Sequence, residues 1–186
     1  MAIWTRPARY IKGLLVTQIW RMRGVRCADR VVVQGRSPHF SCAGNAVLGS
    51  RISFRTLSGL TRLSVSRGAN LLIGRKCFIN GNTIIHASID VTIGDHCHIG
   101  EDVRIDDSAH HSVDEHVAAQ QSPISIGRNV WIANGATILP GVTLGDHCVV
   151  AARAVVSRSF PAKTLIAGVP ARKLRDVVAS DDWIRS

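Results

Sequence analysis

The chain has 186 residues, enough for one domain with a sizeable core, and length alone does not call for a second. Its five cysteines are odd in number, scattered and without a C-x-x-C pair, which excludes a disulfide framework and fits reduced core thiols in a cytoplasmic protein. The net charge of +10 is uneven: residues 1–76 hold fourteen Lys and Arg against one acid, Asp29, and the remainder is slightly acidic. A basic half attracts polyanions or an anionic membrane. Nucleic acid is not the expected partner, because interleaved aromatics, zinc fingers and helix-turn-helix patterns are all missing.

Residues 1–30 read as an N-terminal helical and basic segment. Trp4, Ile11, Leu15, Ile19 and Met22 fall near one helical face, and Arg6, Arg9, Lys12, Arg21 and Arg23 flank it. The apolar run is broken by Lys12 and is too short to span a bilayer. No apolar stretch ending in a small-residue cleavage site marks a secretory signal. Two readings stay open for residues 1–24: a helix packed on the body of the protein, or an interfacial helix lying on a membrane.

Residues 31–161 carry a repeat of six, degenerate at first and then regular. Val47-Leu48-Gly49, Ile52, Phe54 and Leu60 suggest early repeats with broken phase. The phase improves at Ile73, Ile79 and Ile85, slips by two, and resumes at Ile93, Ile99 and Ile105. Ile126, Ile132, Ile138, Leu144, Val150 and Val156 then recur without interruption. A period of six is neither helical nor simple strand alternation. It predicts a solenoid of short strands in which one aliphatic per repeat points inward and stacks on its neighbours. Cys97 and Cys148, each in Gly-Asp-His-Cys, fall at small inward positions. Residues 106–123 carry no repeat and are bracketed by good ones, so they are expected to form a functional loop ejected from a rigid scaffold. Residues 162–186 form a C-terminal extension with an extended segment at Val169-Pro170.

The repeats, the segment 129–145 (NVWIANGATILPGVTLG), His111-Ser112-Val113-Asp114 and the ending 167–175 (AGVPARKLR) together resemble the hexapeptide-repeat acyltransferases. The maltose, galactoside and nodulation-type O-acetyltransferases, and those that decorate capsule and lipopolysaccharide sugars, are the nearest branch. The resemblance is good over residues 70–176 and poor before them. It implies an all-β, left-handed parallel β-helix, an exception to the usual right-handed crossover. It also implies a homotrimer with active sites between subunits, acetyl-CoA as co-substrate and no metal requirement.

The same resemblance suggests roles for individual residues. His111 is the expected general base, with His110 beside it as the residue most easily confused with it. Asp106, Asp107, Asp114 or a backbone carbonyl would orient the imidazole. In Asn80-Gly81-Asn82, Asn80 would touch the acceptor and the reacting centre. Asn82 and Asp114 are further acceptor-binding candidates. Trp131, Asn134 and Ala152 would line the pantetheine channel, and Arg158, Arg172 and Arg175 would meet the CoA phosphates, with Lys163 and Lys173 as lesser candidates.

The function expected is acetyl transfer to a saccharide hydroxyl, in a surface-polysaccharide or lipid-linked sugar precursor, at the inner face of the membrane. Two alternatives stand beside it. One is N-acetylation of an amino sugar nucleotide. The other is a γ-type zinc carbonic anhydrase using His86, His111 and His116. His96, His98 and His147 fall in or beside repeat turns and read as solenoid surface.

Overall fold

A computed structural model describes residues 6–185; Trp4 lies outside them. One helix, α1 (Arg6–Met22), is followed by a left-handed parallel β-helix of about six coils. Each coil contributes one short strand to each of three flat faces. Face 1 begins at Arg26–Cys27 and ends at Thr143–Leu144. Face 2 begins at Val32–Gly35 and ends in the hairpin Thr164–Gly168 and Ala171–Asp176. Face 3 runs from His39–Cys42 to Val155–Val156. The coil therefore starts at Arg26, inside the segment read from sequence as N-terminal helix and basic stretch.

Strand register explains the period of six. Cys27, Leu48, Ile73, Ile93, Ile126 and Leu144 form one inward ladder along face 1. Val33, Phe54, Ile79, Ile99, Ile132 and Val150 form the second. Phe40, Leu63, Ile85, Ile105, Ile138 and Val156 form the third. Nearly all of these side chains are fully buried, so the core is a stack of triangular aliphatic layers. Leu63, not Leu60, is the inward residue of the second coil on face 3, because that corner holds three extra residues. The early repeat is thus complete in space although its phase is lost in sequence.

Turns follow the same rule. The residue three places after an inward aliphatic often adopts a left-handed conformation, as at Lys76, His96, Asn129 and His147 between faces 1 and 2. Such residues cost about 1–2 kcal/mol each unless they are Gly or Asn, and the ladders on both sides hold them. Gly49, Gly74, Gly94, Gly127 and Gly145 stack in one column at this corner. A Cβ on Gly94 would lie 2.6 Å from the Gly127 backbone, which accounts for the recurring Ile-Gly.

The helix closes the N-terminal end of the prism. Trp20 is buried edge-on against Phe40 and Phe54, with centroids at 5.2 and 5.6 Å. The thiols of Cys77, Cys97 and Cys148 donate to backbone carbonyls of the next coil, each at 3.1 Å. A hydrogen bond with Cys77 and then burial push the Cys97 thiol well up, and burial pushes Cys148 up, so both are poor nucleophiles. Among the described residues, no helix is long and apolar enough to cross a membrane.

Candidate active site

The ejected loop leaves the coil at Asp106–Asp107 and is fastened at its root. Asp107 is fully buried, and its carboxylate accepts backbone N–H bonds from Ser88, Ile89 and Asp90 at 2.6–2.8 Å. Ser108 bridges Gln121, Ala109 donates to the Gln120 carbonyl, and Ser122 donates to the Asp107 carbonyl. The two ends of the loop are therefore zipped together, and residues 110–118 are exposed above them.

This root presents His110. Its Nε2 lies 3.0 Å from Asp106 Oδ2, which also accepts from Arg104 Nη2 at 2.7 Å. Asp106 is buried and its other oxygen accepts the Ser108 N–H. His86 stands behind, its ring centroid 5.1 Å from that of His110. The His86 ring nitrogens are engaged by Ser64 Oγ at 2.6 Å and Ser88 Oγ at 2.9 Å. A cavity of about 340 Å³ opens beside His110, between Arg104, Asp106, Thr137, Leu139 and Ser157. The histidine expected from the sequence, His111, is the next residue along. His111 is exposed, does not line this cavity, and its side chain makes no hydrogen bond or ion pair among the described residues. Of the groups named as able to orient His111, Asp106 meets the His110 imidazole instead, Asp107 anchors the loop, and Asp114 is exposed.

The second feature lies on the outer surface of face 2. Trp131, Ala133, Asn134, Ala151, Ala152 and Leu165 line a predominantly apolar groove of about 440 Å³. The three residues expected in the pantetheine channel, Trp131, Asn134 and Ala152, are thus brought together. Register carries the groove's outer row from Trp131 through Val149 and Leu165 to Arg175, while Ala167 pairs with Arg172. Directly paired residues project from the same side of a sheet, so both arginines extend the groove's surface. Arg158 is elsewhere: it stacks over Phe160 and follows Ser157, at the corner that holds His110.

Asn80 shares its edge of the coil with the groove. The residues after Ile79, Ile99, Ile132 and Val150 are Asn80, Gly100, Ala133 and Ala151, which stack along one corner. Asn80 Nδ2 donates to the Ile99 carbonyl at 3.1 Å. Asn82 is a left-handed turn residue whose amide occupies the space above Gly59, where a Cβ would meet its Oδ1 at 1.6 Å. Asn80 does not line the cavity beside His110.

The sequence predicts a C-terminal extension over residues 162–186 but not the contacts of its tail. Asn129 donates to the Trp183 carbonyl and accepts the Arg185 N–H, both at 2.9 Å. Lys163 pairs with Asp181 at 2.7 Å. The Arg185 guanidinium then lies over Trp131 at 5.5 Å and Trp183 at 4.8 Å. Burial lowers its pKa, and its Nε and Nη2 are buried without a hydrogen-bond partner. A polar tail with no period gave no signal for this.

Among the described residues, the His, Cys, Asp and Glu side chains with metal-like spacing are His86, Asp106 and His110. His86, His111 and His116 are not gathered: the last two are exposed loop residues, and His116 pairs with Glu115. Within one chain, these three histidines do not form a ligand set.

Comparison with known proteins agrees with this fold. The family model for the bacterial transferase hexapeptide (six repeats) matches residues 123–158. Galactoside O-acetyltransferase of Escherichia coli (strain K12) is 37% identical over 115 residues, covering 60% of this chain and 57% of that protein. Nodulation protein L of Rhizobium leguminosarum bv. viciae is 46% identical over 108 residues, covering 56% and 57%. The matched stretch therefore spans less than two thirds of these relatives. The crystal structure of the hexapeptide-repeat containing acetyltransferase VCA0836 from Vibrio cholerae is 33% identical with a TM-score of 0.61, covering 71% of this chain and 74% of that one. The same protein has also been solved complexed with acetyl coenzyme A. With its ladders, loop and groove in this arrangement, the chain belongs to the hexapeptide-repeat acetyltransferase family.

Proposed function

We propose that the chain is an acetyl-CoA-dependent O-acetyltransferase acting on a saccharide hydroxyl, with His110 as general base. With the His110 Nε2 proton directed at Asp106, Nδ1 keeps a lone pair for the acceptor hydroxyl. As His110 takes that proton, the hydroxyl oxygen attacks the thioester carbonyl. The tetrahedral intermediate then collapses, the carbon–sulfur bond breaks, and the departing CoA sulfur receives the proton held by His110. Asp106, itself held by Arg104, stabilises the imidazolium in between. The groove of Trp131, Asn134 and Ala152 would hold the pantetheine arm, and Arg172 and Arg175 the phosphates.

One observation carries the assembly. The cavity beside His110 lies at the corner between faces 3 and 1, and the groove with Asn80 lies at the corner between faces 2 and 3. They flank face 3 on its two sides, which supports reading them as two half-sites of one chain. A homotrimer would join the His110 edge of one copy to the groove edge of the next and complete three sites. The O-acetyl assignment draws on the galactoside O-acetyltransferase relative. The excess of positive charge in residues 1–76 favours an acceptor that is anionic or lies at a membrane, such as a lipid-linked or surface-polysaccharide precursor, with the enzyme peripheral to that membrane.

The test is complementation. His110→Ala and Asn80→Ala damage opposite edges, so each alone should be nearly inactive in acetyl-CoA-dependent transfer. Co-expressed mixed oligomers should regain activity, because some junctions then pair two intact edges. A mixture as inactive as its components would place each site within one chain. Acceptors should include an amino sugar nucleotide, since amide rather than ester product would reassign the enzyme to N-acetylation.

A further inference from the structure

The helix that closes the N-terminal end of the coil has one face fully used and another that the described residues leave exposed. Its inner face cannot roll. A Cβ on Gly13 would sit 1.9 Å from the Val31 carbonyl oxygen, so the helix backbone lies directly on the first coil. Thr17, fully buried, donates to the Gly13 carbonyl at 2.7 Å and accepts the Val31 N–H at 2.9 Å. Val16 and Trp20 complete this face, and the Lys12 ammonium reaches the Gly35 carbonyl.

The opposite half of the helix is apolar as well. Tyr10, Ile11, Leu14, Leu15, Ile19 and Met22 are all exposed, Ile11 and Leu15 at 61% and Met22 at 80%. At 100° per residue these six cover about half of the helix circumference, interrupted by Gln18 and Arg21. From Tyr10 to Met22 the stripe is about 18 Å long. A helix needing only to pack on the coil has no use for it, and water penalises it. Cations surround it: the Arg30 and Arg9 guanidiniums lie over the Tyr10 ring at 5.2 and 5.8 Å, and Arg21, Arg23 and Arg26 are exposed at its C-terminal end. Asp29 is the single acid in the first 76 residues.

We infer that the outer face of α1 is a docking surface for an anionic lipid bilayer, with the helix lying in the interfacial plane. Large apolar side chains on one side, a cationic rim and no length to span the bilayer are the chemistry that an interfacial helix requires. The charge excess selects anionic lipid over a second copy of this chain, whose matching face would bring the same cations together. The packing at Gly13 and Thr17 orients the stripe outward before any membrane is met. The surface stands independently of the acyl-transfer reading.

The experiment is vesicle flotation of the whole chain, with phosphatidylglycerol-containing vesicles against pure phosphatidylcholine. The wild type should float with the anionic vesicles and dissociate at high salt. The double variant Ile11→Asp with Leu15→Asp should lose binding about tenfold or more, since two aliphatic insertions are removed and two negative charges added. Its melting temperature, oligomeric mass and transfer to a water-soluble acceptor should be unchanged, because both side chains face away from the coil. Equal binding by the double variant would overturn the inference, as would a wild type that fails to float. A double variant that falls apart into smaller species would instead make the stripe an interface between copies, which also overturns it.

Discussion

Two corners of the same coil behave in opposite ways. Between faces 1 and 2 the inward residues are always six apart: Cys27 and Val33, Leu48 and Phe54, Ile73 and Ile79, Ile93 and Ile99, Ile126 and Ile132, Leu144 and Val150. Between faces 3 and 1 the interval is eight from Phe40 to Leu48, ten from Leu63 to Ile73, eight from Ile85 to Ile93 and twenty-one from Ile105 to Ile126. It returns to six only from Ile138 to Leu144. The first corner is a column of touching glycine backbones, and an added residue would break the contact above and below it. The second can send surplus chain outward while the ladders on both sides stay in register. The loop that carries His110 is the largest of these surpluses, so the chemistry proposed for it would sit where the scaffold tolerates insertion.

The largest effect should come at the end of that insertion. His110→Ala should lower kcat by about 10²–10⁴-fold while acetyl-CoA still raises the melting temperature. His111→Ala should stay within about threefold of wild type. Steady-state rates for the two variants decide between adjacent residues, and the reverse ranking would return the base to His111.

The fixed corner should be the more costly one for stability. Gly94→Ala sets a Cβ 2.6 Å from the Gly127 backbone and should cost about 2–3 kcal/mol. For a chain of this size that is roughly 5–10 °C in melting temperature. Two glycines inserted after Val117, in the exposed loop, should shift it by no more than about 2 °C, because loop lengthening is entropically cheap. Equal losses from the two changes would mean that the loop is part of the folding core.

Next in size is the groove edge. Arg172→Glu with Arg175→Glu should raise the KM for acetyl-CoA about tenfold or more and leave kcat nearly unchanged, since both residues are exposed and neither lines the cavity beside His110. A fall in kcat at constant KM would remove them from phosphate binding.

The same corner logic says what could be read in advance. The regular stretch from Ile126 to Val156 announces the solenoid, because no insertion interrupts it. The earlier coils could not be phased, since Leu63 replaces Leu60 only once three extra residues are known to sit in one corner. Trp131, Asn134 and Ala152 were legible because they lie in that regular stretch, where spacing equals position in space. The choice between His110 and His111 was not: inside a loop without a period, a one-residue ambiguity between neighbouring histidines has no internal check. What favours His110 in our proposal is Asp106, the last strand residue, whose position the ladder sets. The tail that brings Arg185 over Trp131 depends on Asn129 and His147, two turn residues eighteen apart, and only the folded coil brings them together.

The smallest effect tests the outer row of face 2 beside that tail. Burial, then the charges of Arg185 and His96, hold the His98 pKa below its ordinary value. Burial, then Lys76 among other charges, does the same for His96. A depressed folded value means that the unfolded chain binds more protons through this window, so stability rises with pH across it. Read downward, the penalty begins as pH falls through the ordinary histidine value of about 6.5 and is complete once pH passes below the lowered folded values. The melting temperature should therefore fall modestly between about pH 7.5 and pH 5, and His98→Gln with His96→Gln should flatten the part of the slope due to this row. Removing Arg185 should also flatten it, by relieving the charge above His98. If Arg185→Ala left the slope of the wild type intact, the tail would not lie against this face in solution, and the partnerless guanidinium over Trp131 would have to be relocated.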